Sequence, residues 1–244
     1  MRCPAQLTYR ILQFAGLFSI VHTSIASSKE SEQRTISGWT VHIRKELLAT
    51  EWATKTEHAL ELLRSQLDEV VRVVPAAALT ELKKVPLWIS PEYPDTPPRA
   101  EYHPNVGWLR ANDRDPAMAK GIEFTNVRIF DAEVKRMPIF VLHELAHAYH
   151  DRVLGFDHPE IIAAYDRVSA AKKYDAVERQ GTGGRPNRVE RAYAMTNHKE
   201  YFAETSEAFF GRNDFFPFNR DDLHGHDPEM EQLLEKLWSG PPRP

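Results

Sequence analysis

From Pro138 to Leu154 the chain reads Pro-Ile-Phe-Val-Leu-His-Glu-Leu-Ala-His-Ala-Tyr-His-Asp-Arg-Val-Leu, and no other stretch restricts the fold as much. Pro138 suits the first turn of a helix, where its missing N–H costs nothing. Gly155 suits the end of one. Ile139, Phe140, Val141, Leu142, Leu145 and Ala146 predict burial on nearly every side, and polar groups inside such a helix need partners. His143 and His147 are four apart, so they share one face, one turn above the other. Two imidazoles placed in this way can bind one zinc ion at about 2.0–2.1 Å. Glu144 follows the first histidine directly and is placed to take a proton from a metal-activated water.

A catalytic zinc needs a third protein ligand and an open fourth position. The extended pattern H-E-x-x-H-x-x-G-x-x-H needs a glycine at position 150 and a histidine at position 153. The chain has His150 and Val153, so the third ligand is expected to be a carboxylate from another helix. Asn197-His198-Lys199-Glu200-Tyr201-Phe202-Ala203-Glu204 offers two, Glu200 and Glu204, four apart on one face, with Glu207 a further turn along. Tyr201, Phe202, Phe209 and Phe210 crowd this helix, so its acids also need partners.

Tyr193 to Glu204 resembles the catalytic end of the anthrax lethal factor family of zinc metallopeptidases, in which an H-E-x-x-H helix is followed by a tyrosine and then T-N-x-x-E-F-F-A-E. Tyr201 stands where that family has phenylalanine. The resemblance covers roughly Pro138 to Phe210, and nothing before Lys120 resembles the toxin's other domains. It implies a site of the gluzincin type: His143, His147 and Glu200 as ligands of one zinc per chain, and Glu144 as general base. Tyr193 would be the phenol that steadies the oxyanion or protonates the leaving group, and a donor just before the third ligand's helix can do the first. Glu204 would lie behind the ligands and orient a ligand histidine. The implied fold is α+β, zincin-like, mostly helical with a small sheet.

The chain's first residues point to export. Met1 to Arg10 carries two arginines and no acid, Ile11 to Val21 is nearly all apolar, and Ser24-Ile25-Ala26 offers small residues to a signal peptidase. This reads as a signal peptide over 1–26, followed by one domain over 27–244 that is secreted or periplasmic. The apolar run is too short to span a bilayer of about 30 Å. Cleavage would remove Arg2, Arg10 and Cys3, the one cysteine. What remains would have no disulfide and would be more acidic than the −4 of the whole chain. That argues against a nucleic-acid partner and leaves a peptide or protein substrate, with no membrane contact after cleavage.

Elsewhere, Ser27–Ser37 reads as loose and Trp39–Ile43 as a strand. Trp52–Val74 reads as an amphipathic helix with Leu60, Leu63, Leu67, Val70, Val71 and Val74 on its apolar face. Strands are expected at Val85–Ser90 and Gly121–Phe130, turns at Tyr102–Trp108, and helices at Pro159–Val177 and His198–Phe210. A last helix is expected at Asp227–Trp238, capped by Asp227 with Pro228 at its first position. Gln180–Asn187 is the clearest loop. His150 is expected to be partly exposed at a helix end, His103 to sit in a turn, and His224 and His226 in a polar loop. Two other functions fit the same motif: an inactive binding protein of this fold, and a zinc hydrolase acting on a non-peptide amide such as cell-wall material.

Overall fold

The computed structural model describes residues 30–49 and 51–239, so the expected signal peptide lies outside it. β1 (Ser31–Ile36) and β2 (Trp39–Arg44) form an antiparallel hairpin. Ser37 and Gly38 join them with φ of 50° and 96°, as a two-residue turn with positive φ at both positions requires. From Ser31 on, the expectation of a loose segment is thus corrected; residues 27–29 lie outside the described residues. In β1 only Ile36 is fully buried, so the strand owes its form to the turn and to β2, not to an apolar alternation of its own.

α1 (Ala53–Val73) and α2 (Ala76–Leu82) follow on either side of Pro75. α1 buries Leu60, Leu63, Leu67 and Val70 but leaves Val71 partly exposed. Next come β3 (Leu87–Ile89), β4 (Ala100–Tyr102), α3 (Val106–Ala111), β5 (Ile122–Phe124) and α4 (Phe130–Arg136). Tyr102–Trp108 is therefore not all turn: Asn105 caps α3 by accepting from the N–H of Gly107 and Trp108. Nor is Gly121–Phe130 one strand. Val127 and Phe130 are three apart, a helical interval, and Val127–Ile129 is a 3-10 turn leading into α4.

The sheet order is β1-β2-β3-β5-β4, parallel within β2-β3-β5 and antiparallel at both edges. The rows Val41–Leu87–Ile122 and Ile43–Ile89–Phe124 cross its three central strands on one face. All six side chains are buried in one core with α1 and with α5 (Phe140–Tyr149).

Beyond α5 lie α6 (Pro159–Ala170), the hairpin β6 (Val177–Arg179) and β7 (Arg188–Glu190), then α7 (His198–Phe210), α8 (Arg220–His226) and α9 (Pro228–Trp238). α6 stops well short of Val177. Lys172 takes a left-handed φ of 53°, through which a right-handed helix does not continue, and Val177 opens β6. Gln180–Asn187 forms the hairpin loop. Asp227 does not cap α9 with its side chain. It is buried and accepts from Arg167 Nη2 (2.7 Å), Tyr174 (3.1 Å) and Tyr201 (2.5 Å). The architecture is α+β, more than half helical, with a small mixed sheet. Among the described residues no helix is long and apolar enough to cross a membrane.

Candidate metal centre

α5 begins at Phe140, two residues after Pro138. Gln66, buried on α1, fastens that start: its Nε2 donates to the Pro138 carbonyl (2.7 Å), and its Oε1 accepts from the Val141 N–H (3.2 Å). The tie holds the first turn of α5 against α1, ahead of the two histidines. α7 is fixed at its own start by Asn197, whose side chain accepts from the N–H of Lys199 and Glu200. Glu200 thus enters the site in the first helical turn, where a carboxylate also suits the helix dipole.

Three side-chain atoms converge between α5 and α7. His143 Nε2 lies 3.1 Å from His147 Nε2 and 3.1 Å from Glu200 Oε2, and His147 Nε2 lies 3.2 Å from the same oxygen. Ligand atoms of one tetrahedral zinc, each about 2.0–2.1 Å from the metal, lie about 3.3 Å apart, so the triangle has the size that zinc requires. His143 Nδ1 is 2.7 Å from Glu207 Oε1. With Nδ1–H donating to that carboxylate, the Nε2 lone pair faces the triangle. A second grouping, His143 with Glu204 and Glu207, is wholly buried. The first grouping is half-buried at His147 and Glu200. In the alternative state in which His143 and His147 donate from Nε2 to Glu200 instead of offering lone pairs, those hydrogen bonds hold the Glu200 carboxyl far below the usual range, against the burial that would raise it.

Glu207, rather than Glu204, is the carboxylate against His143. Glu204 Oε1 is 3.7 Å from Nδ1, and its Oε2 accepts from Asn213 Nδ2 at 3.2 Å. Burial pushes Glu207 up to about 7. Burial, and then the Glu207 charge, pushes Glu204 well above its ordinary value. Two such carboxyls side by side do not both ionise near neutrality.

Glu144 Oε2 accepts the backbone N–H of Tyr102 in β4 at 2.8 Å, a contact that no side-chain pattern reveals. The Tyr102 hydroxyl donates to Asp151 (2.6 Å) just past α5. Tyr193 sits in a 3-10 turn (Tyr193–Thr196), 48% exposed, with its ring centroid 6.4 Å from that of His143. Glu144, His143 and Tyr193 line a cleft of about 610 Å³ together with Ala100 and Thr196.

Among the described residues, His103, His150, His224 and His226 lie outside this triangle. His150 is fully buried in a π-turn (His150–Leu154) against Phe156 and Phe202, and neither ring nitrogen has a hydrogen-bond partner. Its expected exposure is corrected: the chain stays helical past Tyr149 and turns the ring inward, ending at Gly155 with φ 84°. His103 is buried, and its Nε2 lies 3.0 Å from Glu123. His224 and His226 lie in the last turn of α8, not in a loop, and no metal-competent grouping among the described residues includes them. No family model, curated protein or solved structure matches the chain.

Proposed function

We propose that this chain is an exported zinc-dependent peptidase of the zincin type, with His143, His147 and Glu200 as metal ligands. The observation that carries this reading is the triangle of Nε2, Nε2 and Oε2 atoms, 3.1 to 3.2 Å on a side, beside a carboxylate held by a backbone N–H and open to a cleft. The likeness of Tyr193–Glu204 to the lethal factor family and the leader-like start of the chain support it further.

When bound, zinc lowers the pKa of its water to about 7 and polarises a carbonyl oxygen. The remaining work falls to side chains and backbone. The Tyr102 N–H occupies Glu144 Oε2, which leaves Oε1 to take the proton of the attacking water and pass it to the leaving nitrogen. Tyr193, at the cleft mouth, supplies an O–H to the developing oxyanion. Substrate backbone is aligned by β4, an edge strand. Arg99 and His103 hydrogen-bond toward β5; by the alternation of an antiparallel ladder, the N–H and C=O of Ala100 face away from it. An extended peptide can add there as a further strand.

The test is metal content together with hydrolysis. Purified wild type should carry about one zinc per chain and cut members of a peptide library. His147→Ala and Glu200→Ala should lose the metal. Glu144→Gln should keep zinc and lose hydrolysis. Wild type that takes up no zinc would falsify the reading. Zinc-loaded protein that cuts cell-wall amides but no peptide would move it to that substrate class.

A further inference from the structure

Arg99, Arg136, Arg179 and Arg191 line the cleft together with the acids Glu144, Glu190, Glu204 and Asp214. Arg99 is paired with Glu101 and Arg191 with Asp175. Arg136 and Arg179 are the two that the structure fixes most firmly. Arg179 Nε donates to the buried Asp214 (2.9 Å) and Nη1 to Glu190 (3.0 Å), and the guanidinium lies over the Phe215 ring, 4.4 Å from its centroid. Arg136 gives Nε and Nη2 to Glu133, and its Nη1 comes only within 3.9 Å of the Asp214 oxygen that Arg179 already holds. Arg179 Nη2 and Arg136 Nη1 therefore carry N–H donors beyond those the protein uses.

A guanidinium locked by an acid and an aromatic face has little freedom left to lose on binding, and its planar fork matches a carboxylate. Two cations approach one carboxylate oxygen of Asp214, and both line the cleft that holds Glu144.

We propose that Arg136 and Arg179 form a subsite for a carboxylate of the substrate, in the cleft that Glu144 also lines. This rests on the peptidase reading for the word substrate, though not for the binding itself. The carboxylate belongs either to an aspartate or glutamate side chain or to a peptide's free C-terminus. The first case makes the protein an endopeptidase selective for acidic sequences, the second an enzyme that trims chain ends.

The experiment is calorimetric titration of the zinc-loaded Glu144→Gln full chain with four matched decapeptides. One has an internal glutamate and an amidated end, one glutamine and a free C-terminus, one glutamine and an amidated end, and one lysine and an amidated end. A carboxylate peptide should bind at least about tenfold more tightly than its uncharged counterpart, and lysine should be the weakest. Whichever of the first two peptides gains affinity identifies the source. Arg179→Gln should erase the preference. Arg136→Gln, which leaves the Arg179–Asp214–Phe215 packing in place, should reduce it without loss of folding. Equal binding of all four peptides, no binding by any, or a preference that survives both substitutions overturns the proposal. Wild-type turnover of the same peptides is scored separately. Charge-selective binding without turnover keeps the subsite and sinks the peptidase reading; turnover indifferent to charge does the reverse.

Discussion

Which nitrogen of an imidazole faces a metal is decided by what the other nitrogen bonds. At His143 the partner is Glu207, at 2.7 Å with both groups buried. His143, Glu144 and His147 stood out in the sequence because a helix converts a spacing of four into a shared face, whereas Glu200 was preferred to Glu204 only through the resemblance to the lethal factor family. The choice between Glu204 and Glu207 was not legible. Both lie on the Glu200 face, and only the depth and rotation of α7 against α5 decide which one reaches Nδ1. Glu207→Gln should therefore weaken zinc binding about 10–100-fold, while Glu204→Gln changes it only a few-fold, measured by competition with a chelating dye. The reverse ranking would hand the positioning role to Glu204.

Among the elements, those with strong apolar periodicity, α1, α5, α7 and α9, could be read from the chain. β1 and α4 could not. The first is polar, and its pairing is dictated by Ser37-Gly38. The second begins where an apparent strand pattern changes its interval from two to three. The π-turn after α5 was equally hidden, since nothing local shows that His150 points inward. Its placement has a consequence for pH. Burial, reinforced by nearby His198, lowers folded His150 to about 3, whereas in the unfolded chain it protonates near its ordinary value of about 6.5. This group's contribution is therefore undiminished above pH 6.5 and is lost as pH falls from there toward 3. At pH 5 the loss is on the order of 2 kcal/mol. Replacing His150 by leucine, which suits the Phe156–Phe202 surroundings, should remove that loss. In thermal melts at pH 7.5 and pH 5.0, the variant should fall less than wild type on acidification. Parallel falls in the two proteins would mean that His150 does not set the acid sensitivity.

For the molecule as a whole, the candidate centre is assembled from segments far apart in the chain: β4 with its Tyr102 N–H, α5 with two histidines, and α7 with Glu200. Sequence spacing can propose residues within one helix, but it cannot place an edge strand beside Glu144. Nor can it bring Arg136 and Arg179 to one oxygen of Asp214. A metal in the triangle would tie α5 to α7, yet these helices do not depend on it. Tyr149 stacks on Trp238 at 4.3 Å between ring centroids, and Phe202 stacks on the same indole at 5.8 Å, so α5, α7 and α9 share a core without the ion. Removing zinc should then lower stability rather than unfold the chain. Ligand linkage gives about 2.7 kcal/mol at free zinc one hundredfold above Kd. In a domain of this size that is about 5–10 °C in Tm. Adding a strong chelator to wild type should lower Tm by that amount, and returning zinc should restore it. His147→Ala, with the triangle broken and the stacked core intact, should melt at nearly the same temperature with or without the chelator. If wild type unfolds outright at room temperature when chelated, the metal is structural and the stacked core does not hold α5 to α7 alone. If wild type and His147→Ala respond alike, the metal they share is bound somewhere other than this triangle.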